Sequence, residues 1–261
     1  MEHNCTIILH VVAIKGAKMS IFNVIRSAID STEQLVNDFT AVREARRSGT
    51  IPQREVNVSI PRPIAASAGL SLTKGQRITL EKNGRALTNV CVGVNWGMIQ
   101  GKIVNECVDL DVSCVTFKGN RVDETVYYGN LSGSGIWHSG DDVVGDAGGN
   151  DGLDNEIITL DLTRIKSDVD QIFIILNSYR GHKFDKIPYA TIRIYEGTPK
   201  RVDNVIATYD IANDVTFKNS VSMVMGKLYR KNNEWRFNAI GNTTSDSSIS
   251  GITNTITEQY L

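Results

Sequence analysis

Between Arg121 and Arg164 the chain carries no Lys or Arg, yet it holds nine carboxylates: Asp123, Glu124, Asp141, Asp142, Asp146, Asp151, Asp154, Glu156 and Asp161. Six of these acids and five glycines fall in the 19 residues from His138 to Glu156, HSGDDVVGDAGGNDGLDNE. Glycine lets a backbone turn its carbonyls inward, and carboxylates supply hard anionic oxygens. Together they suit a calcium ion, which takes about six to eight oxygen ligands. Without a cation the segment repels itself, and the competing reading is a solvated acidic loop. A second pair of acids lies upstream, in CVDLDVSCVTF. Alternation there puts Val108, Leu110, Val112 and Cys114 on one strand face, so Asp109 and Asp111 project from the other, roughly 7 Å apart. Two acids on one face beside a carboxylate-rich loop favour a cation site over a merely polar outer face. The spacing is not that of an EF-hand, since no Asp-x-Asp-x-Asp-Gly run with Glu at the twelfth position can be threaded through it.

The elements that must position these acids are strands. From Leu70 onward, short β-type runs dominate: Gln76 to Leu80, Asn89 to Trp96, Val108 to Phe117, Glu156 to Leu162, Asp170 to Asn177, Ala190 to Tyr195, Val205 to Asp210, Met223 to Arg230 and Glu234 to Ile240. Nine strands and few helices predict a mainly β fold, an antiparallel sandwich. Val90, Val92, Val94 and Trp96 alternate with Cys91, Gly93 and Asn95, the pattern of a half-buried strand, whereas Ile172 to Leu176 is apolar on both faces and reads as central. Asn232-Asn233 fits a two-residue hairpin turn. Before the sandwich, residues 20 to 47 repeat apolar side chains at spacings of three and four, with Arg43, Arg46 and Arg47 in the last turn. This predicts an N-terminal amphipathic helical extension. Pro52, Pro61 and Pro63 mark a linker, dividing the chain into residues 1–66, a sandwich over 67–245 and a tail over 246–261.

The 261 residues carry 28 Lys+Arg against 29 Asp+Glu, a balance that argues against general nucleic-acid binding, which needs a basic surplus. The longest early apolar run, Cys5 to Ile14, is ten residues and too short to span a bilayer. Glu2 and His3 stand where a secretory signal would carry a basic residue, so secretion is disfavoured. Cys5, Cys91, Cys107 and Cys114 form no Cys-x-x-Cys pair, which reads as reduced thiols in a cytosolic protein.

Read in order, LSLTKGQRITLEKNG, VCVGVNWG, VDLDVSCVTF, HSGDDVVGD, DNEIITLDL, VDQIFIILN, ATIRIYE and GKLYRKNNEWRFNAIG resemble the tellurium-resistance TerD family over about residues 69 to 245. The resemblance implies a calcium-binding β-sandwich, cytoplasmic in bacteria. It also implies stress-response partners, other tellurium-resistance proteins, that give resistance to tellurite, some phages and colicins. Those partners would place the protein at a membrane-associated complex without a span of its own. Carried over by position, the family's acidic strand motif falls on Asp109 and Asp111, its loop start on Gly140, Asp141 and Asp142, its later Gly-acid pair on Gly145 and Asp146, and its terminal triplet on Asp154, Asn155 and Glu156. With Asp151 in a loop about four residues longer than usual, the candidate ligands for two calcium ions are Asp109, Asp111, Asp141, Asp142, Gly145, Asp146, Asp151, Asp154 and Glu156. Asp142 stands where the family usually has Asn, and Asn155 where it usually has Asp, exchanges that keep oxygen ligands and leave the charge nearly unchanged.

Three functions compete at this level. The first is a calcium-binding interaction module in a stress-response assembly, with the N-terminal helix burying its stripe on the sandwich or on a protein partner. The second is a metal-dependent phosphohydrolase. No phosphate-binding Gly-x-x-x-x-Gly-Lys-Ser/Thr loop and no Gly-x-Ser-x-Gly elbow support it, so the expectation is a protein without catalytic activity. The third is calcium-dependent docking on anionic membranes, for which the loop offers only Val143, Val144 and Leu153 as apolar tips.

Overall fold

The structure, a computed structural model, describes residues 70–71, 76–82, 85–101, 104–232 and 234–261. The helical segment expected over residues 20–47, and with it the extension over 1–66, lies outside the described residues.

Among the described residues fifteen strands form, in chain order: β1 (Leu70–Ser71), β2 (Arg77–Thr79), β3 (Glu81–Lys82), β4 (Arg85–Ala86), β5 (Asn89–Trp96), β6 (Leu110–Lys118), β7 (Arg121–Val126), β8 (Ser132–Gly133), β9 (Ile136–His138), β10 (Glu156–Asp161), β11 (Gln171–Ser178), β12 (Ala190–Thr198), β13 (Arg201–Asp210), β14 (Ser222–Lys231) and β15 (Glu234–Thr244). An α-helix, α1 (Ile249–Gln259), follows them. The strands build a seven-stranded sheet, β1-β13-β12-β5-β10-β9-β8, and a six-stranded sheet, β2-β15-β14-β11-β6-β7, beside the small β3-β4 ribbon. Every pairing between them is antiparallel except β1 with β13, which is parallel. All nine expected strands are present. Those the sequence hides are short, apart from β7, whose RVDETV is too polar to announce a strand.

The two sheets face each other across one apolar layer. Val90, Val92, Val94 and Trp96 from β5, with Ile158 and Leu160 from β10, meet Val112 and Cys114 from β6 and Ile172, Ile174 and Leu176 from β11. A fully buried side chain of this kind contributes about 1.5–3 kcal/mol over its exposed state, and strand alternation delivers one at every second position.

The double apolar face of β11 has a specific cause. Its inner side belongs to the sandwich core, while Phe173 and Ile175 on the outer side pack with Val115, Phe117, Val224 and Ile240 against Ile252 and Ile256 of α1. The stretch expected to be a tail over 246–261 therefore closes a second, smaller core. Its helix starts where the Ser248 side chain accepts a hydrogen bond from the Gly251 N–H. Its far end is fixed by Lys227, whose Nζ donates to the Tyr260 carbonyl at 3.2 Å and lies 5.1 Å over the Phe173 ring.

Strand β5 is likewise covered on both faces. Its outer side carries Cys91, packed with Ile157 and Tyr195, and Gly93. A Cβ at Gly93 would fall 2.0 Å from Asp154 Oδ2, so only glycine lets the acidic loop lie on the sheet here. Asn232, at φ +53°, turns the hairpin between the paired Lys231 and Glu234. Cys91 and Cys114 are buried thiols, and burial pushes both above the ordinary thiol range, whereas Cys107 is partly exposed.

Candidate metal centre

The alternation that buries Leu110, Val112 and Cys114 turns Asp109 and Asp111 to the outer face of the six-stranded sheet, where they are 4% and 1% exposed. The loop from Ser139 to Asn155 brings Asp141 to them. Ligand oxygens of Asp109, Asp111 and Asp141 lie within 4.8 Å of one another, a group that can hold a metal ion. Asp141 is exposed, so the group opens to solvent on the loop side.

What holds the loop there is the free edge of β6. Strand β7 pairs with β6 only from Cys114 to Lys118, leaving Val112 without a ladder partner on that side. Two buried side chains from the other sheet supply it. The Val112 N–H donates to Glu156 Oε2 at 2.9 Å, and His138 Nε2 lies 3.1 Å from the Val112 carbonyl. His138 Nδ1 then accepts from the Gly140 N–H at 3.0 Å, which fixes Nε2 as the protonated nitrogen. Glu156 Oε1 accepts from the Asp142 N–H at 3.2 Å. Asp141 is therefore framed on one side by the His138 anchor and on the other by the Glu156 anchor.

The remaining expected ligands face other groups. Asp142 Oδ1 caps the N–H groups of Val144 and Gly145 at 3.1 and 3.0 Å, and its Oδ2 accepts from Asn155 Nδ2 at 3.1 Å. Gly145 turns at φ +79°, and a Cβ there would meet the Trp96 ring at 2.7 Å. Asp146 continues the sheet, its N–H donating to the Trp96 carbonyl and its carbonyl accepting from Met98, while its Oδ2 accepts from Asn95 Nδ2 and the Tyr189 hydroxyl, each at 3.0 Å. Asp154 is ion-paired at 2.8 Å with Arg193 Nε. Asp151 is exposed and accepts from the Leu153 N–H. The structure thus gathers Asp109, Asp111 and Asp141, whereas Asp142, Asp146, Asp154 and Glu156 make these other contacts.

Two residues at the group were not among the expected ligands. Asn177 stands opposite Asp111 in the β6–β11 register, and its Nδ2 donates to Asp111 Oδ2 at 3.0 Å. Arg180 Nε lies 3.5 Å from Asp109 Oδ2. The only sequence signal for Asn177 is that it is the first polar residue after IFIIL. Its meaning depends on a strand register that no local pattern encodes.

Burial dominates the electrostatics. It lifts Asp111 to about 8, with repulsion from Glu156, Asp109 and Asp141 adding to it. It lifts Asp109 to about 6, with Asp141 adding and Arg180 opposing. Asp141 is raised by the same cause, Glu156 is raised well above the usual carboxylate range, and Asp154 is raised despite Arg193. His138 is lowered by burial and so held neutral. These acids resist ionising together in the absence of a cation.

The TerD domain profile matches residues 69–255, which is most of the chain and all of the sandwich. The chain belongs to the TerD family. Among its relatives, the tellurium resistance protein TerZ of Serratia marcescens is 28% identical over 191 residues, covering 69% of this chain and 93% of TerZ. The stress response protein SCP2 of Bacillus subtilis is 27% identical over 201 residues, covering 70% and 96% of the two chains. The tellurium resistance protein TerD of Serratia marcescens reaches 30% identity over 182 residues, covering 66% and 89%. The crystal structure of a homologue of the telluride resistance protein TerD from Streptomyces coelicolor A3(2) superposes with a TM-score of 0.54 at 15% identity, covering 65% of this chain and 98% of the other. That likeness is one of fold. The family match extends beyond Thr244 into α1, consistent with the helix being a folded part of the domain.

Proposed function

We propose that this protein is a calcium-binding interaction module of a bacterial stress-response assembly, in which the metal centre at Asp109, Asp111 and Asp141 controls a docking surface. One observation carries the metal reading. Asp109 Oδ1 is buried without a hydrogen-bond partner, inside a group of three carboxylates that has no Lys within it and one arginine at its margin. An orphaned buried carboxylate oxygen costs several kcal/mol unless a cation meets it. The donors are oxygens only, which points to a hard cation. One of them rides on a loop, which suits the adaptable shell of calcium better than the tight octahedron of magnesium. Of the described residues, this is the one group of three acidic, His or Cys side chains close enough to share an ion. The second calcium of the expected pair would have to be held by the loop acids Asp142, Asp146, Asp151 and Asp154 with backbone carbonyls.

The stress-response setting is supported by the names of the relatives, tellurium resistance and stress response proteins, and partners of that kind are the ones we propose. A non-catalytic role is supported by His138, the histidine nearest the acids. Both of its ring nitrogens are engaged by backbone groups, so neither is free to take a proton from a substrate. The membrane-docking alternative is weakened because Leu153 is the one large exposed apolar side chain of the loop, Val143 and Val144 being partly buried. Among the described residues no helix is long and apolar enough to cross a membrane. The test is a pull-down from a tellurite-stressed bacterial lysate with the full chain in calcium or in chelator. Partners retained only in calcium are expected; identical partner sets in both conditions, or metal-dependent phosphate release from a substrate panel, would contradict the proposal.

A pH dependence follows from the same geometry. Native Asp111, at about 8, and the raised Glu156 hold protons that the unfolded chain gives up near pH 4. The native state thus binds more protons in this window, so the stability of calcium-free protein falls as pH rises. His138 works in the opposite direction, but only below about 6.5. Between pH 6.5 and 8 the chelator-treated protein should therefore lose melting temperature, and the calcium-induced rise should grow. A melting temperature that climbs across this interval in chelator would contradict the assignment.

A further inference from the structure

We infer that Asn177 is a fourth side chain of the metal centre and that its carbonyl oxygen, Oδ1, ligates the ion. The inference rests on the metal reading above and extends it to a neutral ligand from a different strand. Register puts Asn177 of β11 directly opposite Asp111 of β6, and cross-strand neighbours share a face. The side chain is 4% exposed, and its Nδ2 is held 3.0 Å from Asp111 Oδ2. The amide is thereby fixed beside Asp111, one of the three carboxylates.

Its Oδ1 nevertheless has no hydrogen-bond partner, and the same is true of Asp109 Oδ1. Two buried oxygens without donors, one just before β6 and one on the neighbouring β11, are an excess of lone pairs that a cation can satisfy. A buried asparagine kept only to orient Asp111 would be expected to pair its carbonyl elsewhere. The ligand count agrees. Three carboxylates supply between three and six oxygens, short of the upper end of the calcium range, and a neutral oxygen adds a ligand without adding charge.

The test uses the full chain and terbium(III) as an oxygen-seeking stand-in for calcium, loaded at one ion per chain. Luminescence lifetimes in H2O and D2O count the waters left on the ion. With Asn177→Leu, calcium affinity should fall about tenfold or more and the terbium ion should gain about one water. Asn177→Asp keeps an oxygen but has no N–H to give Asp111, so it should keep the wild-type water count and hold calcium affinity within about threefold or raise it. A merely positioning role predicts the reverse for the Asp variant: affinity falls with the lost donor. An unchanged water count in the Leu variant, or a tenfold loss in the Asp variant, would overturn the inference. If the Leu variant does not fold, the Asp variant decides alone. Failure of the wild type to bind terbium or calcium at all would instead remove the underlying metal reading.

Discussion

Saturating calcium should raise the melting temperature of the chelator-treated protein by roughly 5–11 °C. A ligand bound only by the native state contributes about 2.7 kcal/mol at a hundredfold excess over its dissociation constant, and each kcal/mol moves a domain of this size by roughly 2–4 °C. The three acids meet only in the folded chain, because Asp111 comes from the start of β6, Asp109 from the residue before it, and Asp141 from a loop set in place by His138 and Glu156. Replacing Asp109 and Asp111 together by asparagine should abolish most of that rise. The same double variant should melt higher than wild type in chelator near pH 8, because it removes buried carboxylates whose ionisation is opposed by burial and by one another. A double variant that keeps the full calcium rise would place the ion elsewhere. Magnesium should give a smaller rise, since it surrenders its waters reluctantly.

The second large effect concerns α1. Ile256 is fully buried against the outer face of β6, β11 and β14, and truncating such a side chain typically costs about 2–5 kcal/mol. Ile256→Ala should therefore lower the melting temperature by roughly 4–20 °C in chelator and in calcium alike. The exposed Glu258→Ala, two residues on, should change stability by no more than about 0.5 kcal/mol. Equal behaviour of the two variants would mean that the helix does not dock. The helix has weak intrinsic propensity, with Gly251, Thr253, Thr255 and Thr257 along its length, so its order depends on this apolar contact rather than on its own backbone. Removing residues 246 to 261 should expose Phe117, Phe173 and Ile175 and promote aggregation, read by light scattering.

These two cases show what a sequence can and cannot disclose about this fold. The alternation from Val108 to Cys114 is enough to send Asp109 and Asp111 to one face, because side-chain direction in a strand is fixed by a period of two. The density of acids and glycines between His138 and Glu156 is enough to bring attention to the loop. Which loop acid joins the pair is a different matter. It depends on where β7 stops, since the bare edge at Val112 is what draws in His138 and Glu156, and RVDETV gives no apolar pattern from which to place that end. Asp154 carries the same charge as Asp141 but meets Arg193, some forty residues later in the chain, across the space left by Gly93. Asn177 depends on the β6–β11 register. Long-range pairing decided each of these, and local composition is silent about it. The helix α1 was hidden for another reason: only Ile249, Ile252 and Ile256 mark its apolar face, among residues that favour turns as readily as helices.

The most direct test of the metal centre is calorimetric titration of calcium into the full chain after chelator treatment, at pH 7.5, beside the same titration of Asp109→Asn with Asp111→Asn. The account predicts a saturable heat of binding for the wild type that is lost, or weakened at least a hundredfold, in the double variant. A hundredfold loss corresponds to about 2.8 kcal/mol, shared between the two carboxylates removed from the ligand set. A wild-type titration without a saturable signal, together with a melting temperature that calcium leaves unmoved, would contradict it and return the acidic loop to a solvated surface.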